Sequence, residues 1–148
     1  MTDPTAQAVA ERVRDAMYAH DAAARTLGIE ILAIGPASAT LSMRVRDDML
    51  NGHGICHGGL IATLADTAFA YACNACNQQT VAAGFGIDLL APGRPGDLLT
   101  AKAVQQSKAG RSGVFDVEVR DQHDKLIALF RGRSHSRPDT PVVAPARP

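Results

Sequence analysis

Over residues 38–46 apolar and polar side chains alternate without a break. Ala39, Leu41, Met43 and Val45 fall on one side, and Ser38, Thr40, Ser42, Arg44 and Arg46 on the other. Successive side chains of a strand point to opposite faces, so this run predicts a half-buried strand. The alternation returns within residues 113–120, where Phe115, Val117 and Val119 interleave with Asp116, Glu118 and Arg120. Further strands are predicted over 29–34, 80–90, 97–106 and 125–135. The Pro92-Gly93-Arg94-Pro95-Gly96 run separates two of these, and residues 121–124 close a hairpin.

Two stretches follow a helical period instead. Residues 5–26 carry Val9, Val13, Met17 and Ala24 near that period, with Gly28 as the stop. Over 60–76, Leu60, Leu64, Ala68 and Ala72 recur every four residues, and the other faces are mostly Ala, Ile, Phe and Cys. A helix apolar all round is buried. This one is too short and too Ala-rich to span a membrane, and it holds Asp66. Residues 47–59 have no period and are rich in glycine, which reads as a loop. The order is helix, two strands, buried helix, four strands, without repeated strand–helix units. That predicts an α+β chain with a mainly antiparallel sheet around one helix. Residues 137–148 hold four of the eight prolines and no apolar period. A disordered tail is expected there, leaving 1–136 as a single domain.

Composition narrows the function. The 148 residues are 46% hydrophobic, enough for one domain with its own core. Fifteen basic residues balance fifteen acidic ones, so the chain lacks the positive field of an ordinary nucleic-acid binder. Trp is absent and aromatics are 4%, which speaks against base stacking. Three cysteines do not make a disulfide framework. Met1-Thr2-Asp3-Pro4 does not open a signal peptide, so a cytoplasmic chain without membrane contact is expected.

Asp66 is the only Asp, Glu, Lys or Arg between Met49 and Ile87. A carboxylate in so apolar a helix is costly unless it serves a purpose or meets solvent or a loop. His57-Gly58-Gly59 stands just before the same helix. A helix N-terminus has unpaired N–H groups and a partial positive charge, and glycine allows close approach. Such a feature builds an oxyanion hole, or is simply a flexible turn. Gly58 and Asp66 are eight residues apart, about 12 Å along a helix. If both act on one carbonyl, Asp66 must face the Gly58 of another subunit.

The remaining candidates carry less. Cys73 and Cys76 on a buried helix read as core packing. His53 and His57 have no third ligand, so no metal is expected. Lys108, Arg111, Arg131, Arg133 and Arg137 are basic, but no phosphate-binding or dinucleotide motif accompanies them.

Four segments resemble the PaaI-type acyl-CoA thioesterases of the hotdog-fold superfamily. They are Met49-Leu50-Asn51-Gly52-His53, Cys56-His57-Gly58-Gly59, the run from Leu64 through Asp66 and Phe69 to Asn74, and Ala128-Leu129-Phe130-Arg131-Gly132. The resemblance spans residues 10–136. It implies a curved antiparallel sheet wrapped around a long central helix, with an N-terminal helix. It also implies a homodimer that forms the active sites, commonly paired into a tetramer. By position, Asp66 matches the catalytic carboxylate and Gly58 the N–H that polarises the thioester carbonyl. Asn51 and His57 match residues lining the reaction centre.

Substrate contacts are then expected from Gly59, Leu50 and Phe69, and from Arg111, Arg131 and Arg133 at the CoA nucleotide. The implied substrate is phenylacetyl-CoA or a ring-hydroxylated relative, with CoA entering only as part of the substrate and no other cofactor. Two alternatives stay open: a hotdog domain that binds acyl-CoA without hydrolysing it, and a hotdog enoyl-CoA hydratase. The Asp66 helix carries no His, which weighs against the hydratase, and the chain has no room for a separate DNA-binding domain.

Overall fold

The computed structural model describes residues 4–145. Its helices are α1 (Pro4–Tyr18), α2 (Ala22–Thr26) and α3 (Gly58–Asn74). Its strands are β1 (Glu30–Gly35), β2 (Ser38–Arg44), β3 (Gln79–Leu89), β4 (Leu98–Ala109), β5 (Ser112–Arg120) and β6 (Leu126–Arg137). The strands form one sheet in the order β1-β2-β4-β5-β6-β3, with every pairing antiparallel. α3 touches all six strands, so the sheet wraps around it as a hotdog fold does.

Alternation decides which face turns inward. Leu41, Met43, Leu99, Ala101, Ala103, Val117 and Val119 are buried, while their neighbours Lys102 and Glu118 face out. Ile61, Leu64, Ala65, Ala68, Phe69 and Ala72 of α3 pack against that inner face. Phe69 meets Phe115 edge-on at 5.5 Å between centroids and Phe130 at 5.8 Å. Small residues allow the fit: a Cβ on Gly132 would stand 2.8 Å from Phe69 Cζ.

The N-terminal helix is two helices rather than one. Asp21 stops propagation by capping α2, its Oδ1 accepting the Ala24 N–H at 3.1 Å. Its other carboxylate oxygen accepts the hydroxyl of buried Tyr71 at 3.2 Å, which ties α2 to α3. α3 starts at Gly58, two residues earlier than the apolar period indicates, because a side-chain cap precedes it. β4 and β6 run past their predicted ends to Ala109 and Arg137.

The stretch expected as a disordered tail is described as far as residue 145, and it is bound there. Gln79 N–H donates to Thr140 O at 2.8 Å. The Asn77 side chain exchanges two hydrogen bonds with the Val143 backbone, at 2.9 and 3.0 Å. Arg12 reaches Ala144 O at 2.8 Å. Proline content removes the apolar signal without removing carbonyls that can accept. Residues 146–148 lie outside the described residues.

β1 and β3 are the two edges of the sheet. β3 is the unusual one, for its Val81, Phe85 and Leu89 are large, apolar and exposed.

Candidate active site

The loop before α3 is ordered by its own polar groups. Asn51 Oδ1 accepts the His53 N–H at 2.9 Å and the Ile55 N–H at 3.4 Å, while Asn51 N–H donates to Ile55 O at 2.8 Å. Gly54 takes the left-handed turn position at φ +71°. His57 N–H donates to Met49 O at 2.8 Å, and Cys56 N–H to Gly93 O at 2.7 Å. These bonds fix where the chain enters the helix. The Asn51 side-chain NH₂ has no partner among the described residues.

His57 caps the helix with its ring. Its Nδ1 accepts the Gly59 N–H at 3.2 Å. An accepting Nδ1 leaves the proton of the neutral imidazole on Nε2. Gly58 is the first helical residue, and its N–H has no intrahelical acceptor. Among the described residues nothing accepts from it. That N–H, at the positive end of a helix of 17 residues, is available to an incoming oxygen.

Asp66 lies two turns further on. It is half-buried on the strip of α3 that also bears Ala62, Thr63, Ala70 and Cys73. Among the described residues it has no hydrogen bond and no ion pair, and burial alone pushes its carboxyl above the ordinary range. The nearby hydroxyls do not help it. Thr63 Oγ1 donates to Gly59 O at 2.9 Å and Thr67 Oγ1 to Thr63 O at 2.6 Å, both within the helix. Cys73 shares the strip: burial, with the Asp66 charge adding to it, pushes its thiol up to about 12. Gly58 and Asp66 therefore stand on one continuous helix, about 12 Å apart along its axis. One chain does not bring them together.

Several expected substrate contacts sit elsewhere. Phe69 is 1% exposed and belongs to the core, where its ring packs against Phe115 and Phe130. Gly59 is exposed, but its N–H is held by His57. Leu50 is half-buried against the core, beside the Leu50–Cys56 bridge of the loop. Arg131 is committed to Asp116 through two bonds of 2.6 and 2.8 Å on the outer face of the sheet. That guanidinium also holds the Asp116 carboxyl below its usual range. Arg111 and Arg133 are exposed, and neither makes an ion pair among the described residues. The Arg133 guanidinium lies close over Gly84, where a Cβ would stand 2.8 Å from its Nη2.

One contact escapes sequence reasoning. The side chain of Leu89 lies against Gly58: a Cβ there would stand 2.5 Å from Leu89 Cδ1. The available signal is β3 itself, which ends the sheet yet exposes Val81, Phe85 and Leu89.

Among the described residues no group of three or more His, Cys, Asp or Glu side chains gathers to hold a metal. No described helix is long and apolar enough to cross a membrane.

The chain resembles known proteins in sequence and in shape. The thioesterase superfamily model matches residues 53–128, just over half of the chain. The acyl-coenzyme A thioesterase PaaI of Escherichia coli is 49% identical over 81% of this chain and 86% of its own length. The structure of the E. coli PaaI protein from the phenylacetic acid degradation operon superposes with a TM-score of 0.88, covering 90% of this chain and 97% of that one. A mutant of the phenylacetic acid degradation protein PaaI from Thermus thermophilus is 36% identical, with a TM-score of 0.73 over 76% of this chain and 96% of that one. On this footing the chain belongs to the thioesterase superfamily, as an acyl-CoA thioesterase of the PaaI type.

Proposed function

We propose that this chain hydrolyses arylacetyl-CoA thioesters, phenylacetyl-CoA or a ring-hydroxylated relative, in the cytoplasm, at sites shared between two copies. The carrying observation is Asp66, a half-buried carboxylate without a partner on an otherwise apolar helix. It is matched by the free N–H of Gly58 on the same rigid helix. Their separation supports a shared site, since two copies place two such pairs crosswise. The open edge of β3 supports the same arrangement. Gly58 lies beside Leu89 at one end of β3, and Phe85, further back along the strand, stacks on Phe130 beside the helix turn that holds Phe69 and Asp66. Antiparallel pairing of two β3 edges sets the Gly58 end of one copy against the Asp66 end of the other. Such dimers pair further into a tetramer.

The thioester carbonyl oxygen accepts from Gly58 N–H, and the helix field stabilises the negative charge that develops on it. Asp66 of the other copy then acts in one of two ways. As a base it takes a proton from water, whose oxygen attacks the carbonyl carbon. The C–S bond breaks, and the proton passes to the CoA thiolate. As a nucleophile it attacks directly, expels the thiolate and forms a mixed anhydride that water opens. Its raised pKa improves it as a base. The thiolate is a good leaving group, so no strong general acid is needed. The Asn51 NH₂ orients the water or Asp66, and His57 holds the loop. No metal or further cofactor enters, CoA being part of the substrate. The unpaired Arg111 and Arg133 take the CoA phosphates.

The test is thiol release from phenylacetyl-CoA and a panel of aliphatic acyl-CoAs, with wild type and Asp66→Asn. An aromatic preference, lost with a fall of about 10² to 10⁴ in rate, is the expected result. A folded wild type that binds acyl-CoA and releases no thiol would make it a sensor instead. Single turnover in ¹⁸O water gives the positive sign of direct attack: label in Asp66 and none in the product acid marks an anhydride opened at the Asp66 carbonyl.

A further inference from the structure

Leu89 is the last residue of β3, on the inner face opposite buried Ala128. Its side chain closes one side of the α3 N-terminus. Apart from its chain neighbours and its own helix backbone, the atoms of the described residues within 4 Å of the space where a Gly58 Cβ would stand are Leu89 Cδ1 at 2.5 Å and Leu89 Cγ at 3.9 Å. Leu89 is nonetheless 53% exposed in the single chain, so it is not part of the core and stands on the side where the shared site is proposed. The Gly58 nitrogen, whose N–H is free, is bonded to the same Cα that this methyl covers. An oxygen accepting from that N–H stands about 2.9 Å from the nitrogen. The carbon bearing the oxygen, and the first atoms attached to it, are then within contact reach of Leu89.

The surroundings decide which arm of a thioester lies there. Next along the inner face of β3 comes Ile87, packed against the core, and then Phe85, stacked on Phe130 at 4.8 Å. That side is apolar. The loop that leads into Gly58 is polar instead: it carries Asn51, His53 and His57, with both histidines, Gly52 and Gly54 exposed. A thioester with one apolar and one polar arm is placed with its acyl group along Leu89 and its pantetheine leaving by the loop.

We propose that Leu89 determines acyl specificity. Its isobutyl group occupies the space beside the acyl α-carbon, so an α-CH₂ is accepted and an α-branched acyl group is rejected. This rests on the thioesterase reading above and names the feature that selects among its substrates. A single methyl group in an apolar site changes selectivity by roughly 10-fold or more, which makes the effect measurable.

The experiment compares phenylacetyl-CoA with 2-phenylpropionyl-CoA, its α-methyl relative, in wild type, Leu89→Ala and Leu89→Phe. Turnover is read as kcat/KM. Affinity is read separately by calorimetry on the ketone analogues, in which CH₂ replaces the thioester sulfur. Leu89→Ala is expected to raise the branched-to-unbranched ratio of kcat/KM about tenfold. The affinity ratio should move the same way, and Leu89→Phe should lower both. Folded variants whose ratios stay within about twofold of wild type overturn the proposal, as does an equal loss on both substrates. A wild type that hydrolyses neither substrate overturns the thioesterase reading instead, and the analogue affinities still decide for or against Leu89.

Discussion

Asp66 and Phe69 stand three residues apart on one helix, and the chain treats them in opposite ways. Phe69 finds all its partners inside the chain, with Phe115 and Phe130 against its ring and Gly132 making room. Asp66 finds none among the described residues, and burial raises its pKa without compensation. The difference separates two demands on α3. Its sheet-facing side is completed by this chain and holds the fold. The strip bearing Asp66 is left incomplete, as it must be if its partner is a substrate shared with a second copy.

The comparison breaks if the two positions fail to dissociate on mutation. Asp66→Asn should cost about 10² to 10⁴ in kcat while leaving the protein folded. Its stability should rise at neutral pH, because the amide is not charged when buried. The sign follows from the raised carboxyl. The neutral acid suits the folded state below the ordinary carboxylate range, and that advantage is lost as pH climbs through the higher folded value. The stability gap between variant and wild type should therefore close as the pH falls below the ordinary range, which urea unfolding at several pH values would read. Phe69→Ala should do the reverse. It should lose about 3 to 5 kcal/mol of stability, from the deleted ring and the cavity left behind. The fraction that stays folded should keep Asp66-dependent turnover. A large kcat loss in a fully stable Phe69→Ala protein would return that residue to the substrate.

Much of this contrast was legible beforehand. The lone charge at Asp66, the His57-Gly58-Gly59 entry and the alternating strands are local patterns, and a local pattern survives in one dimension. The eight-residue spacing already required a second copy if both groups act together, because the rise of a helix is fixed. The burial of Phe69 is hidden because Phe115 and Phe130, which enclose its ring, come from strands distant in sequence. The ion pair of Arg131 is hidden because its partner Asp116 lies across a strand pairing, fifteen residues away. Leu89 went unseen because its contact with Gly58 depends on the register of β3 along α3, which no local signal carries. The capping role of Asp21 and the docking of residues 140–144 were hidden for the same reason.

His57 sharpens the comparison at the helix entrance. Its Nδ1 accepts from Gly59, which leaves the neighbouring Gly58 N–H free. Losing a cap of this kind costs about 0.5 to 2 kcal/mol. His57→Ala should lose that much stability and raise KM more than it lowers kcat. His57→Asn restores an acceptor at the cap and should recover most of both. If the two variants stayed equally stable yet both fell about 100-fold in kcat, the imidazole would belong to the chemistry and not to the loop.

The smallest expected effect concerns two arginines on neighbouring outward positions of β6. Arg131 is held by Asp116 in a paired fork, whereas Arg133 makes no ion pair among the described residues. A guanidinium already bound to a carboxylate must give up that pairing before it can take a phosphate, and a free one need not. Arg133→Ala should therefore raise KM for acyl-CoA severalfold with kcat unchanged, and the rise should shrink as salt is added, because exposed charges are screened. Arg131→Ala should leave both constants within about twofold, since the exposed pair it removes contributes little. The reverse pattern would mean that Arg131 leaves Asp116 when substrate arrives. Asp116→Asn would then lower KM by freeing the guanidinium in advance, a change opposite in sign to the one expected if the pair stays closed.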